Sequence, residues 1–236
     1  MRSVNYVAEG AQRYVVGQTP AFDQKNEMFK RPWWDPTMTA LGERFYHATV
    51  MPKAKRGYRL TEFSLVNASW RLEKEFAQGA RGGRMGLYDW DWDGHFGFPR
   101  VPPGLKYDGD DPEYATRMVK QAATFFGASL TGICELDRRW LYAPAYHVTA
   151  DGGKKFDNTI PEAFRYAISI AVEMDYNMIQ ASPGAPASAA TGQGYSKMAY
   201  VAGLLAQFIR GLGYQAIPCG NDTACSIPIA IDAGLG

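Results

Sequence analysis

The sequence has few cysteines and histidines and no excess of charge of one sign. Its cysteines are Cys134, Cys219 and Cys225, and its histidines are His47, His95 and His147. An odd number of widely spaced cysteines argues against a disulfide framework, and neither residue type shows the spacing of a zinc site. The formal net charge of +1 gives no sign of a basic face for nucleic acid. We therefore expect no metal ligands among these side chains and no nucleic-acid partner.

Long hydrophobic runs are also missing. No run reaches the roughly 18 apolar residues that a membrane-spanning helix needs, and the N-terminus lacks the regions of a signal peptide. The Arg138–Arg139 pair is internal, so we do not interpret it as an export signal. Aromatic residues are abundant instead, at 14% with six tryptophans. Large aromatic walls suit a pocket for a flat cofactor or an apolar ligand, and they equally suit an ordinary core.

The clearest pattern predicts a long helix with one buried face, because apolar residues recur at three-and-four spacing. These residues are Tyr195, Met198, Val201, Ala202, Leu205, Phe208, Ile209 and Leu212. We predict that the helix starts near Tyr195 and ends at Gly211 and Gly213, since glycine takes the left-handed cap conformation without a clash. Polar residues between them are expected to face water, and these are Lys197, Gln207 and Arg210.

The flanks of this helix carry shorter signals. After it we predict a strand at Tyr214–Ile217, a turn at Cys219–Asp222 and a helix from Ser226 to near Gly234. Before it, the segment Ser182–Ala187, with two prolines and a glycine, is expected to separate the helix from a strand at Ala167–Met174.

Further upstream the pattern alternates between helices and strands. Thr61 and Glu62 open a helix that reaches Phe76, and Asp111 with Pro112 opens one that ends at Gly127. Strands are predicted at Leu130–Leu136 and Trp140–Tyr142, and loops at Arg31–Pro36 and Ala150–Asn158. Strands interleaved with helices predict an α/β or α+β layer structure.

Two polar residues stand out in this C-terminal region. Tyr195 lies on the apolar face of the predicted helix, and Asn221 lies in the tight turn that follows the strand. A buried phenol needs a hydrogen-bond partner, and a turn asparagine usually bonds its own backbone. Either residue taken alone therefore has an ordinary structural explanation.

Residues 182–236 have the sequence SPGAPASAATGQGYSKMAYVAGLLAQFIRGLGYQAIPCGNDTACSIPIAIDAGLG. This run resembles the corrinoid-binding core of the reductive dehalogenases, the cobamide and iron–sulfur enzymes of organohalide respiration. The similarity extends from about Arg165 to the last residue, and more weakly back through GICELDRRWLYAP to the YDWDWDG segment. It is specific as a whole run, whereas no short piece of it would be.

The resemblance implies roles for particular residues. The tyrosine of the GQGYS-like motif is the family's proposed proton donor and falls on Tyr195, and the asparagine of the GND-like turn lies beside the substrate and falls on Asn221. Thr191 matches a position that lines the same pocket. Other expected cofactor-binding residues combine small residues that let the backbone approach a flat macrocycle with aromatic pocket walls. They are Gly192, Gly194, Ser196, Trp90 and Trp92.

The resemblance also implies a fold and a division of the chain. The expected fold is the nitroreductase-like corrinoid-binding fold of the α+β class. Residues 1–87 would form an N-terminal unit, and residues 88–112 with 165–236 the corrinoid-binding core, incomplete at its C-terminus. Residues 113–164 would be an insertion in that core.

The implied cofactors are a cobamide bound base-off, without a protein histidine on the cobalt, and two 4Fe–4S clusters in the full-length protein. This chain lacks the cysteine runs that hold such clusters, so we expect it to be a piece of a longer enzyme. Family resemblance further implies a small organohalide substrate such as a chlorinated ethene, a small membrane-anchor protein, an electron donor and a homodimer. It places the enzyme on the outer face of the cytoplasmic membrane after twin-arginine export.

The implied chemistry sets a demand on Tyr195. The reduced cobalt supplies electrons for carbon–halogen cleavage, and the protein must deliver one proton. A phenol with an ordinary pKa of about 10 is a weak acid, so it needs a nearby cation or hydrogen bonds that stabilise the phenolate. In the family an arginine or lysine does this, and we expect the corresponding residue to lie past Gly236.

Two other functions stay open. A corrinoid-binding module without redox turnover would lack the cluster cysteines in its full-length gene. A flavin nitroreductase relative would share the fold and would purify yellow. Such a flavin enzyme is expected to carry an Arg/Ser phosphate-binding cluster near the N-terminus, which this sequence does not show convincingly.

Overall fold

The computed structural model of the protein describes residues 10–47, 51–77, 86–90, 104–149 and 152–236. Trp92, predicted as a pocket wall, lies outside the described residues. The helices in these ranges are α1 (Pro36–Gly42), α2 (Leu60–Arg71), α3 (Pro112–Phe126), α4 (Tyr176–Gln180), α5 (Ala185–Gly211) and α6 (Ser226–Asp232). The strands are β1 (Leu130–Glu135), β2 (Ala145–Thr149), β3 (Gly152–Phe156) and β4 (Tyr166–Ala171).

Helix α5 is the longest element, at 27 residues. It begins at Ala185, so the prediction that it starts near Tyr195 is wrong, and Tyr195 lies in its middle. Pro186 fits the first turn because the N–H that proline lacks would have no partner inside the helix there. The predicted C-terminal end is confirmed, since α5 stops at Gly211 and Gly213 takes a φ of +84°. No described helix is both long and apolar enough to cross a membrane.

Helix α2 packs against α5 more extensively than any other pair of described elements. It begins where the sequence predicts, and the Glu62 carboxylate accepts the backbone N–H of Arg59 at 2.6 Å, which caps its first turn. The helix continues as a π-helical segment, Leu72–Ala77. Close approach to α5 is possible at Gly192, where an added β-carbon would lie 2.5 Å from Trp70 Cδ1.

The strands form two separate antiparallel pairs. Strands β1 and β4 pair from Leu130 opposite Ala171 to Glu135 opposite Tyr166, which confirms both predicted strands. The predicted loop at Ala150–Asn158 is wrong, because β3 pairs with β2. A hairpin is held by backbone hydrogen bonds and needs no apolar alternation. The polar sequence of β3 therefore shows no pattern that predicts a strand.

Two further predicted strands are wrong. The segment Trp140–Tyr142 instead continues from a 3₁₀ turn at Arg138–Trp140, because the Asp137 carboxylate accepts the N–H of Arg139 at 3.0 Å. The segment Tyr214–Ile217 has no strand partner among the described residues.

Arg210 takes the place of a strand partner for that segment. It was predicted to face water, but it is half-buried and its Nε donates to the carbonyl of Ala216 at 3.0 Å. Its Nη2 donates to the carbonyl of Asp89 at 2.9 Å. The guanidinium, with several donors in one plane, therefore ties two irregular segments to the end of α5.

Local capping signals were more reliable. The Asp111 carboxylate accepts the N–H of Glu113 at 3.0 Å, and Gly127 takes a φ of +110° at the end of α3, as predicted. Helix α6 also begins at the predicted Ser226. In contrast, the predicted loop at Arg31–Pro36 contains a 3₁₀ turn, Arg31–Trp33, followed by the start of α1.

One apolar cluster joins elements that the sequence assigned to different units. Ala123 of α3 and Ala128 are buried together with Val201 and Leu205 of α5. The first two residues belong to the predicted insertion, and the other two to the predicted corrinoid-binding core. The boundaries at 113 and 164 stay a prediction, but the two units share this core.

Replacing Gly192 by alanine tests the contact between α2 and α5. The new β-carbon would collide with the Trp70 ring, so we expect the free energy of unfolding to fall by about 2 kcal/mol. Urea denaturation followed by circular dichroism measures it. Gly211→Ala is the matched control, because no described atom lies within 4 Å of its β-carbon position. We expect that change to be neutral or stabilising by up to about 1 kcal/mol. Equal effects of the two substitutions would contradict close packing at Gly192.

Candidate active site

The structure brings the side chains of Tyr195 and Asn221 into contact. The Nδ2 of Asn221 donates a hydrogen bond to the Oη of Tyr195 at 2.9 Å. Tyr195 is half-buried in the middle of α5, whereas Asn221 is exposed in the turn that follows the helix. The asparagine amide thus bonds the phenol, and the pair lies at the protein surface with the phenol ring on its inner side.

Trp70 covers the Tyr195 ring from α2. The two rings stack with centroids 5.1 Å apart and an interplanar angle of 30°. The indole is fixed in turn, because its Nε1 donates to the carbonyl of Ser188 at 3.1 Å. Lys74 adds a cation 5.2 Å from the Trp70 ring centroid. These contacts hold the phenol in one orientation and keep water off one of its faces.

The surroundings of Tyr195 keep its hydroxyl protonated. Burial raises its pKa most, the hydrogen bond from Asn221 lowers it, and the carboxylates of Glu27, Asp222 and Glu73 raise it further, with a net upward shift. The phenol therefore carries its proton throughout the neutral pH range. It is a weak acid whose anion would be stabilised directly by the Asn221 amide.

Residues from the N-terminal part of the chain hold the turn that presents Asn221. The carboxylate of Asp222 accepts hydrogen bonds from Lys30 Nζ and from Gln24 Nε2, each at 3.3 Å. Gln24 is 1% exposed and Lys30 is 9% exposed. Gln24 Oε1 also accepts the backbone N–H of Tyr146 at 2.7 Å, which links the turn to β2.

The other side of the turn is held through the backbone carbonyl of Thr223. The carbonyl of Thr223 accepts from Asn158 Nδ2 at 2.8 Å and from the N–H of Tyr142 at 3.1 Å. Leu141 and Ala224 form an isolated antiparallel bridge beside them. The turn therefore has partners from several distant segments, although its own sequence is short and polar.

Thr191 is the predicted pocket residue nearest to Tyr195 along α5. It lies one helical turn before the tyrosine and on the same face, and it is half-buried. Its Oγ1 donates to the carbonyl of Ala187 at 2.9 Å, which fixes the hydroxyl against the helix backbone. Its methyl group is then the part of the side chain left to contact other groups.

Three of the predicted cofactor-binding residues contact protein side chains or backbone. Gly192 faces Trp70, and a β-carbon on Gly194 would lie 3.1 Å from Met174 Cγ. The Oγ of Ser196 donates to the carbonyl of Ser69 at 2.6 Å and accepts the N–H of Glu73 at 3.3 Å. These contacts give the small residues a packing role, and their cofactor-binding role stays a prediction.

Trp90 lies at the end of a short described segment beside α5. Its carbonyl accepts a hydrogen bond from Arg210 Nη2 at 3.3 Å, next to the stronger bond to Asp89. The side chain is half-buried. Its position is therefore set by the C-terminal end of α5, and its role as a pocket wall stays a prediction.

Two observations concern other possible sites in the described chain. Within the ranges described, no group of three or more His, Cys, Asp and Glu side chains could hold a metal ion. A surface cleft of about 290 Å³ shares no residue with the Tyr195–Asn221 pair. It is lined by Glu135, Leu136, Arg138, Glu162, Phe164, Arg165 and Tyr166.

Comparison with known proteins identifies relatives of this chain. This chain is 35% identical over 187 residues to the tetrachloroethene reductive dehalogenase of Dehalobacter restrictus. The match covers 64% of this chain and 33% of the relative. The enzyme of the same name from Desulfitobacterium hafniense is 34% identical with the same coverage. That of Sulfurospirillum multivorans is 33% identical over 163 residues, covering 59% of this chain and 32% of the relative. No protein-family model matches.

The chain is similar to tetrachloroethene reductive dehalogenases over about 64% of its length. It spans about a third of the length of the curated relatives that it matches. The family resemblance of the GQGYS and GND motifs is thus supported by similarity over a much longer stretch. The positions to which it assigns a proton donor and a substrate neighbour are the two residues whose side chains meet in the structure.

Tyr88 is a residue beside the Tyr195–Asn221 pair that the sequence did not single out. Tyr88 is 2% exposed, and its Oη has no hydrogen-bond partner among the described residues. A β-carbon on Gly220 would lie 3.3 Å from this oxygen, so the hydroxyl lies against the turn that carries Asn221. Burial, and then the Glu73 carboxylate, raise the pKa of Tyr88 far above its ordinary value. The sequence signal that could have identified Tyr88 is its position at the start of the YDWDWDG segment.

Tyr88→Phe removes only this hydroxyl and leaves no cavity. Because a buried donor without a partner is costly, we expect the free energy of unfolding at neutral pH to rise by about 1 kcal/mol. Above a pH of about 10 the unfolded tyrosine ionises while the folded one does not, so the wild-type protein loses stability as the pH rises. The variant should lose less.

Urea denaturation at neutral and alkaline pH measures both effects. Tyr200→Phe is the control, because Tyr200 is 45% exposed on α5 and its loss should change little. A lower free energy of unfolding for Tyr88→Phe, with the Tyr200→Phe protein unchanged, would mean that the Tyr88 hydroxyl makes a stabilising bond in the native protein.

Proposed function

We propose that this chain carries the proton-donor site of a cobamide-dependent reductive dehalogenase, with Tyr195 as the proton donor. The observation that supports this most is the 2.9 Å hydrogen bond from Asn221 to the Tyr195 hydroxyl, between the two positions singled out by the family motifs. The matched relatives are named for tetrachloroethene. A small organohalide of the chlorinated ethene class is therefore our proposed substrate.

The proposed reaction replaces a carbon–halogen bond with a carbon–hydrogen bond. It consumes a pair of electrons and one proton, and the halogen leaves as halide. A bound reduced corrinoid would supply the electrons, which no side chain can do. The proton passes from Tyr195 Oη to the carbon that loses the halogen, and the phenolate is protonated again from solvent before the next turnover.

Each neighbour of Tyr195 has a role in this proton transfer. Asn221 keeps its amide hydrogen directed at Oη, and this bond strengthens as the oxygen becomes negative, so it favours the transition state over the ground state. Trp70 orients the ring and excludes water from one face. The nearby carboxylates keep the phenol protonated until the carbon takes the proton.

In this proposal the corrinoid binds next to the Tyr195 phenol. Asn221 and Cys219 are exposed, and Thr191 and Trp90 are half-buried, which supports a binding surface that includes these residues. Thr191 and Trp90 would contact the ligand. The buried Tyr88 hydroxyl, without a partner among the described residues, is a further donor next to the turn. Gly192 and Ser196 pack on α2, and their contact with the ligand remains part of this proposal.

Family resemblance extends the proposal beyond this site. It includes the nitroreductase-like fold, two 4Fe–4S clusters elsewhere in the enzyme, an electron donor, a small membrane-anchor protein and a homodimer. It also includes export by the twin-arginine route to the outer face of the cytoplasmic membrane. The similarity to reductive dehalogenases over 187 residues is what supports these features.

Tyr195→Phe tests the acid directly. The variant keeps the ring and its stacking on Trp70, so we expect halide release from tetrachloroethene by the reduced holoenzyme to fall about 100-fold or more. Asn221→Ala should cost about tenfold, because it removes one hydrogen bond to the developing phenolate. Corrinoid content, read from the visible absorption spectrum, should stay at the wild-type level in both variants.

Tyr200→Phe, which alters an exposed tyrosine of the same helix, is the control and should keep full activity. Undiminished halide release by the Tyr195→Phe protein would remove Tyr195 from the mechanism. Corrinoid binding without any halide release in the wild-type protein would favour a corrinoid-binding module. Flavin binding in place of corrinoid would favour the nitroreductase alternative.

A further inference from the structure

Lys30 forms a long-range ion pair beside the proposed active site. Its Nζ lies 3.3 Å from the Asp222 carboxylate, from a position 192 residues earlier in the chain. The side chains of Lys30 and Asp222 are 11% and 20% exposed. An ion pair so sheltered from solvent is screened far less than a surface pair, and removal of one partner leaves a charge that is costly to bury.

Asp222 links this pair to Asn221. The two residues are neighbours in the turn, and the exposed Asn221 donates its amide to the Tyr195 hydroxyl. Asp222, in contrast, is held by Lys30 and by the buried Gln24, whose own amide is tied to the backbone of Tyr146. We therefore expect the orientation of the Asn221 side chain to depend on the bonds that hold Asp222.

Lys30 also interacts with carboxylates that raise the pKa of the Tyr195 phenol. The carboxylates that act on Tyr195 are those of Glu27, Asp222 and Glu73. Lys30 is paired with Asp222 and also acts on Glu27, whereas Lys74 lies over the outer Trp70 ring. Lys30 therefore acts on two of the carboxylates that surround the phenol.

We propose that Lys30 is a positioning residue of the proton donor, which holds the Asn221 amide on the Tyr195 hydroxyl through its ion pair with Asp222. The proposal rests on the proposed function for its effect on turnover. The positioning itself concerns the described residues alone and can be measured without cofactor or substrate.

Hydrogen exchange of the Asn221 side-chain amide, followed by nuclear magnetic resonance, measures the positioning. Lys30→Met should speed this exchange about tenfold, because the amide spends less time bonded to the phenol. The indole N–H of Trp70, bonded to Ser188, is the internal reference and should exchange as in the wild type. Lys30→Arg keeps the charge and should restore slow exchange.

Lys25→Met is the matched control for loss of charge. Lys25 lies in the same N-terminal segment, but its ammonium sits 4.9 Å from the Trp34 ring centroid rather than on Asp222. This variant should leave the Asn221 amide unchanged. If Lys30→Met fails to fold, the Asp222→Asn variant tests the proposal instead. It removes the charged acceptor of the ion pair and should speed hydrogen exchange of the Asn221 side-chain amide.

Turnover by the reduced holoenzyme gives the second measurement. Lys30→Met should lower kcat for halide release about tenfold and leave KM for tetrachloroethene unchanged, and Lys30→Arg should recover kcat. Unchanged exchange of the Asn221 amide in Lys30→Met, or in Asp222→Asn where Lys30→Met does not fold, would overturn the proposal. Absence of halide release in the wild-type protein would count against the proposed function alone, because the exchange experiment would still decide the positioning role.

Discussion

The close contact between α2 and α5 at Gly192 is the constraint on which the rest of the site depends. Any β-carbon at this position would collide with Trp70, and the missing side chain lets the indole lie against α5 and stack on Tyr195. Ser196 then joins the two helices through its hydroxyl. The small residues of the GQGYS motif thus shape the phenol's surroundings by helix packing, whatever further contact they make with a ligand.

The second half of the site is a surface turn that distant segments hold in place. Asn221 is exposed and would have many orientations in an isolated turn. Its neighbour Asp222 is bound by Gln24 and Lys30, and Thr223 by Asn158. These bonds reduce the entropy that Asn221 must lose to hold the phenol, and such preorganisation would favour the proposed proton transfer.

Opposing electrostatic effects meet at the Tyr195 oxygen. Burial and the carboxylates of Glu27, Asp222 and Glu73 raise its pKa, and the single amide donor of Asn221 lowers it. The balance favours the neutral phenol in the resting protein. An acid held this way releases its proton only to a strongly basic centre, which is the property expected of a donor to a carbon that has just gained electrons.

The sequence by itself determined the features that depend on near neighbours in the chain. The apolar period around Val201 and Leu205 predicted the buried face of α5, and Asp111 with Gly127 predicted both ends of α3. Family motifs pointed to Tyr195 and Asn221 as a pair. Only the tertiary structure decided that Gly192 receives Trp70, that Lys30 binds Asp222, that Arg210 turns inward and that β3 exists. Each of these is a contact between segments far apart in sequence. Local periodicity does not determine which distant residue a side chain will contact.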